Sequence, residues 1–158
     1  MIPIKTKMKN LIIYAGSFRP FHIGHLNIVE KGEKIFGEVL IAIGINPAKV
    51  TPEEVGDIHE KALELERKIN RKVVVYTTFL HEFIEEKEEE GYNVTLIRGL
   101  RNGDDLAYEN NQLRFISDFK KNIKVVFIMC DKEYEHISST SIRQLESFRK
   151  GSSLKYIV

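Results

Sequence analysis

Gly16-Ser17-Phe18-Arg19-Pro20-Phe21-His22-Ile23-Gly24-His25 follows directly on the apolar run at residues 11–15 and leads into Leu26, Ile28 and Val29. A short continuous apolar run, a glycine turn and then a helical rhythm read as a buried strand, a tight connection and a helix. That helix, residues 24–36, stops at Gly37. Working outward, the same alternation continues. Strands are expected at 39–45, 72–77, 94–97 and 123–129, and helices at 52–70, 79–90, 104–121 and 138–150. Alternation of this kind gives an α/β protein, a parallel sheet covered by helices on both faces with right-handed crossovers. Five strands in a doubly wound order put the first strand in the middle. Ligands then bind beyond the carboxyl ends of the strands, where the winding reverses.

The chain has 158 residues with 42% hydrophobic composition, which suits one domain around one core. Residues 1–10 read as a short flexible leader to that domain. Lys+Arg is 24 against Asp+Glu 23, a net charge of +1, so a polyanion binder such as a nucleic-acid coat is not expected. No run approaches a membrane span. The one cysteine, Cys130, excludes an intrachain disulfide and fits a reducing cytoplasm.

Three clusters fall after the first, fourth and fifth strands. In the opening stretch, Gly16 lets the backbone approach a ligand. His22 and His25 lie three apart at a helix start, whose unpaired N–H groups favour anions. Gly24 between them allows tight packing against a phosphate, and a histidine near two phosphates is biased toward its charged form. A zinc site would need more ligands than this pair. In the second cluster, Leu96-Ile97-Arg98-Gly99-Leu100-Arg101, two guanidinium forks flank Gly99-Leu100 and suit phosphate oxygens. Tyr108 and Glu109 follow on the next helix. In the third, His136-Ile137-Ser138-Ser139-Thr140-Ser141-Ile142-Arg143, some hydroxyls cap the helix, and four in a row exceed what capping needs. The surplus offers donors to a triphosphate. The acidic run at 82–90 reads as a solvated face, Asp104 and Asp105 as a helix start, and Cys130 as a buried structural thiol.

Together, G-S-F-x-P-x-H-x-G-H and I-S-S-T-x-x-R resemble the nucleotidyltransferase superfamily. R-G-L-R followed by Tyr108-Glu109 is similar to the bacterial phosphopantetheine adenylyltransferases. The resemblance covers roughly residues 11–49 and 96–143 and is weak over 50–93. It implies a Rossmann-like nucleotidyltransferase fold and transfer of the adenylyl group of ATP, with Mg²⁺, to 4′-phosphopantetheine, giving dephospho-coenzyme A and pyrophosphate. It implies catalytic roles for His25 and His22. ATP would be held by Ser17, Phe18, His25, Gly99, Leu100, Arg101 and Glu109, and by the stretch Tyr134, Glu135, His136, Ile137, Ser138, Ser139, Thr140. The acceptor would be held by Ser17, Lys49 and Arg98, and His81 is expected beside its tail.

The sequence departs from that pattern at Arg19, where aspartate is usual, and at His22, where threonine is common. His22 and Thr140 lean toward nicotinamide mononucleotide adenylyltransferases, so that acceptor stays as the alternative. The short stretch after Gly151 bears on the family's oligomeric assembly, and a homo-oligomer remains possible. A third reading is a nucleotide-binding regulator, against which the intact histidine pair argues.

Overall fold

The structure, a computed structural model, describes residues 8–158. The first seven residues of the expected leader lie outside it, but Lys9 and Asn10 are not leader. They open the first strand, β1 (Lys9–Gly16), and pair with Tyr92 and Asn93. The remaining elements are α1 (Ile23–Phe36), β2 (Leu40–Gly44), α2 (Pro52–Ile69), β3 (Val73–Tyr76), α3 (Leu80–Glu89), β4 (Tyr92–Leu100), α4 (Gly103–Phe119), β5 (Lys124–Met129) and α5 (Ser139–Phe148). Short 3-10 turns follow at Lys132–Tyr134 and Leu154–Tyr156.

All five strands are parallel in the order β3-β2-β1-β4-β5, with β1 central as expected. The winding reverses between β1 and β4. β4 extends well past the expected residue 97 because Arg98, Gly99 and Leu100 pair in register with Phe127, Ile128 and Met129. Ladder hydrogen bonding here overrides the side-chain polarity that suggested an earlier stop.

Strand alternation sorts the side chains between two cores. Ile12 and Tyr14 pack with Ile28 and Val29 of α1 and Leu65 of α2. Ile13, Ala15, Val94 and Leu96 pack on the other face with Phe83 and Ile84 of α3. Gly32 lets α1 lie close on the sheet, since a Cβ there would meet Ile97 Cδ1 at 2.7 Å. α2 has the strongest local instructions. Thr51 Oγ1 accepts from the Glu54 N–H, the Glu54 carboxylate accepts from the Thr51 N–H, and Pro52 opens the helix. α4 is different, for none of its residues is buried.

Candidate active site

The first turn of α1 is built by its own histidines. His22 is the N-cap, with extended backbone, and its Nδ1 accepts from the N–H groups of Gly24 (3.0 Å) and His25 (3.4 Å). In return, His25 Nδ1 accepts from the His22 N–H at 3.1 Å. This reciprocal arrangement is a capping box made of two imidazoles rather than Ser and Glu. The rings stack with centroids 3.6 Å apart. Because each Nδ1 is an acceptor, each neutral ring carries its proton on Nε2.

The two glycines of the motif serve these rings. A Cβ on Gly24 would meet His22 Cε1 at 2.9 Å, so the room expected for a phosphate is used by the capping imidazole. A Cβ on Gly16 would meet Phe18 Cζ at 2.9 Å, so Gly16 makes space for that ring rather than for a ligand. Phe18 sits in the left-handed region at φ 47°, a cost of about 1 kcal/mol or more for a non-glycine residue. What holds it there is aromatic packing. Its ring meets Tyr14 at 5.0 Å, Phe21 at 5.3 Å and His25 at 4.8 Å, all close to edge-to-face.

Arg101 leaves β4 toward the histidines and is fixed by Asp105. Both Nε and Nη2 of Arg101 donate to that carboxylate at 3.0 Å, as does its backbone N–H at 2.8 Å. Asp105, expected only as a helix starter, is thus the group that aims Arg101. Burial pushes the His22 imidazole down to about 4, with the charge of Arg101 second. His25 is pushed well below its usual range by burial, then by His22 and Arg101. Both rings are therefore neutral in the free site at neutral pH. The expected bias toward the charged form concerns the site with phosphates bound; in the free site desolvation and a neighbouring guanidinium act the other way.

These shifts set a pH dependence of stability. A histidine whose folded pKa is lowered binds its proton mainly in the unfolded chain between about pH 4 and 6.5. Stability is therefore full above pH 6.5 and declines as pH falls toward 4. His22→Asn keeps a capping acceptor without titrating. We predict that urea midpoints of the wild type fall more between pH 7 and 5 than those of His22→Asn. Equal losses would remove His22 as the cause.

The start of α5 closes the cleft. Ser138 and Ser141 form a second capping box, with the Ser141 N–H donating to Ser138 Oγ at 3.0 Å and the Ser138 N–H to Ser141 Oγ at 3.1 Å. Ser139 Oγ donates to the Pro20 carbonyl (3.1 Å), and Arg143 Nη2 donates to Thr140 Oγ1 (3.3 Å). The three serine hydroxyls are thus engaged within the protein, whereas Thr140 Oγ1 only accepts and its O–H stays available as a donor. The first-turn N–H groups of the helix remain as its anion-facing donors. Arg143 Nη1 donates to the Arg19 carbonyl, which ties α5 to the β1–α1 loop.

Between these elements lies a cavity of about 280 Å³. His22, His25, Gly99, Leu100, Arg101 and Glu109 line it on one side, and Tyr134 and Ile137 to Thr140 on the other. Arg98 faces elsewhere. Successive β4 side chains alternate, so Gly99 opens toward Tyr14 and Ile28 while Arg98 points to the α3/α4 face. There Arg98 Nε donates to Glu109 Oε2 at 2.6 Å and Nη1 to the Ala15 carbonyl at 3.2 Å. Glu109 borders both sides. Ser17 and Phe18 border a separate groove toward α2. Lys49 is exposed in the turn after β2, and Glu135 and His136 are exposed beside α5. His81 groups with the near-parallel rings of Phe79 (5.4 Å) and Phe119 (5.0 Å) and does not line the cavity of the histidine pair.

Sequence reasoning also missed Asn27. It is buried on α1, its Nδ2 donates to Asp131 Oδ2 (2.8 Å), and its Oδ1 accepts from the Asp131 N–H (2.9 Å). This pair clamps the segment after β5 onto α1 and so places Tyr134 and Ile137 over the cavity. An Asn within the apolar stripe Leu26, Ile28 and Val29 is the signal that could have found it.

The sequence pattern of the cytidylyltransferase-like family matches residues 13–145. A phosphopantetheine adenylyltransferase of Clostridium botulinum is 31% identical over 147 residues, covering 92% of this chain and 86% of that protein. One from Thermodesulfovibrio yellowstonii is 32% identical over 151 residues, covering 92% and 88%. Among solved structures, the nicotinic acid mononucleotide adenylyltransferase of Plasmodium falciparum superposes with TM-score 0.59 in its complex with NaAD. It shares 18% identity and covers 94% of this chain and 90% of its own, a likeness of fold.

Proposed function

Since the chain belongs to the cytidylyltransferase-like family, we propose that it moves the adenylyl group of ATP onto 4′-phosphopantetheine, releasing pyrophosphate and forming dephospho-coenzyme A. The relatives that carry this activity in their names support the acceptor. The observation that carries the chemistry is convergence: two helix starts, the two imidazoles with their Nε2–H donors and the Arg101 fork share one cavity.

The reaction is an in-line displacement. An oxygen of the acceptor's phosphate attacks the α-phosphorus of ATP and the bond to the bridging oxygen of pyrophosphate breaks. A phosphate monoester is largely dianionic at pH 7, so the attack needs no general base. The protein's work is alignment and charge stabilisation. On the α1 face, the Nε2–H groups of His22 and His25, the guanidinium of Arg101 and the N–H groups of Ser139 and Thr140 at the start of α5 receive the triphosphate, since the first-turn N–H groups of α1 are already taken by its own imidazoles. On the α3/α4 face, Arg98 holds the acceptor phosphate. The two substrates thus approach the switch point from opposite sides of the sheet.

Among the described residues, no three His, Cys, Asp or Glu side chains gather into a metal cage. A Mg²⁺ ion would come with ATP and would supply neutralisation of the phosphate charge. His22 acts on its own helix and the ATP side, so its presence in place of threonine carries no preference for a nicotinamide acceptor. Tyr134 to Thr140 form the ATP-side wall. Among the described residues no helix is long and apolar enough to cross a membrane.

The test is pyrophosphate release with ATP and a panel of acceptors. We expect turnover with 4′-phosphopantetheine and little with nicotinamide mononucleotide. Preference for the mononucleotide would replace the acceptor, and silence with every acceptor would leave only nucleotide binding.

A further inference from the structure

We infer that the hydroxyl of Tyr76 is a second donor to the acceptor's phosphate, working beside Arg98 and selecting for a phosphate-bearing acceptor. The inference rests on the proposed adenylyl transfer.

Tyr76 is the last residue of β3 and pairs in register with Gly44, the last residue of β2. Its ring is held flat on Phe83 of α3, with centroids 4.7 Å apart and planes within 14°. That stack leaves the ring little freedom and sends the hydroxyl back over the sheet. The position is marked by Gly44, where a Cβ would stand 2.7 Å from Tyr76 Oη. Among the described residues the hydroxyl makes no protein hydrogen bond. Tyr76 is half-buried, so its O–H is held in place by the ring stack yet stays open to a ligand partner.

The neighbouring strand supplies the context. Arg98 Nη1 rests on the carbonyl of Ala15 in β1. Ala15 pairs with Ala42 of β2, two residues before Gly44. β1 and β2 are adjacent, so the two donors flank strands about 5 Å apart. Ala15 and Ala42 are buried under α3, so the open floor between the donors is at the strand end, where Gly44 is partly exposed and carries no side chain. Arg98 is close enough that its charge offsets part of the burial that raises the Tyr76 phenol. The phenol therefore keeps its proton and acts as a donor at neutral pH.

A phosphate monoester resting on that floor meets a guanidinium on one side and a phenol on the other. Its third oxygen remains free to point across the sheet toward ATP. An acceptor lacking the phosphate would leave both half-buried donors without their partner, and a site built to hydrogen-bond a group discriminates against a ligand that lacks it.

The experiment uses Tyr76→Phe, which keeps the stack on Phe83 and removes only the hydroxyl. We expect the KM for 4′-phosphopantetheine to rise about tenfold, with the KM for ATP unchanged and kcat reduced less than threefold. Unphosphorylated pantetheine, used as a competitive inhibitor, should bind wild type and variant equally. An acceptor KM within twofold of wild type would overturn the inference, as would equal weakening of pantetheine, which would place the hydroxyl on the acceptor's tail. A wild-type protein that releases no pyrophosphate with this acceptor overturns the functional reading itself, a result distinct from an active wild type with an unaffected variant. Gly44→Ala, which displaces the hydroxyl without deleting it, should reproduce the rise in acceptor KM.

Discussion

His25→Ala is expected to lower turnover a hundredfold or more, roughly 3 kcal/mol of transition-state stabilisation, with ATP still bound. The size follows from where the ring sits. Its Nδ1 is committed to the His22 N–H, so Nε2–H is its one remaining donor, on a ring that lines the cavity. The ring is wedged among Phe18, Phe21 and His22, with centroids 4.8, 5.2 and 3.6 Å away. A donor held this firmly loses little on reaching the transition state, and deleting it removes preorganised stabilisation. Alanine also deletes packing, so His25→Gln is the companion variant. Glutamine suits this position of a capping box and keeps a side-chain acceptor for the His22 N–H. Both variants should bind ATP in calorimetry and both should be slow. Alanine turnover within threefold of wild type would remove His25 from the chemistry.

Arg98→Ala is expected to raise the KM for the acceptor up to about a hundredfold and leave that for ATP nearly unchanged. Charge-assisted hydrogen bonds contribute about 1.5–3 kcal/mol, and Arg98 is the cation on the α3/α4 face of the switch point. A second effect accompanies the first. Glu109, with 16% of its side chain exposed, loses the partner 2.6 Å away. An unpaired, largely buried carboxylate lowers stability, so the variant should also melt earlier. Arg98→Lys should recover only part of either loss. A single ammonium cannot reproduce the fork that reaches Glu109 and the Ala15 carbonyl together. Steady-state kinetics with each substrate varied in turn decides the matter. A change confined to ATP would move Arg98 to the other side of the sheet.

The fold was legible because its signals are local. The apolar runs of β1 and β2 and the glycine at 37 that stops α1 each speak for themselves. β4 was read too short, because the pairing of Arg98 to Leu100 with β5 is a long-range fact. The histidine pair, Arg101 and the start of α5 were legible as residues of one cavity. What each does locally was not. Composition suggested that Gly16 and Gly24 faced a ligand, yet their missing side chains make room for Phe18 and His22. The serines looked like spare donors but are paired with one another or with the β1–α1 loop. Asp105, Asn27 and Tyr76 escaped notice because their importance depends on partners far away or around a turn: Arg101, Asp131 and the floor at Gly44.

Helix α4 buries none of its residues, yet it supplies the carboxylates that hold both site arginines, Asp105 for Arg101 and Glu109 for Arg98. The resting protein is thus no bare cationic trap. Any incoming anion must displace, or share a guanidinium with, a carboxylate already seated there. A lone monovalent anion gains too little to do so. A dianionic monoester or a triphosphate gains enough, because it meets several donors at once. Internal competition of this kind works as a threshold that favours polyvalent phosphates over single monovalent ions.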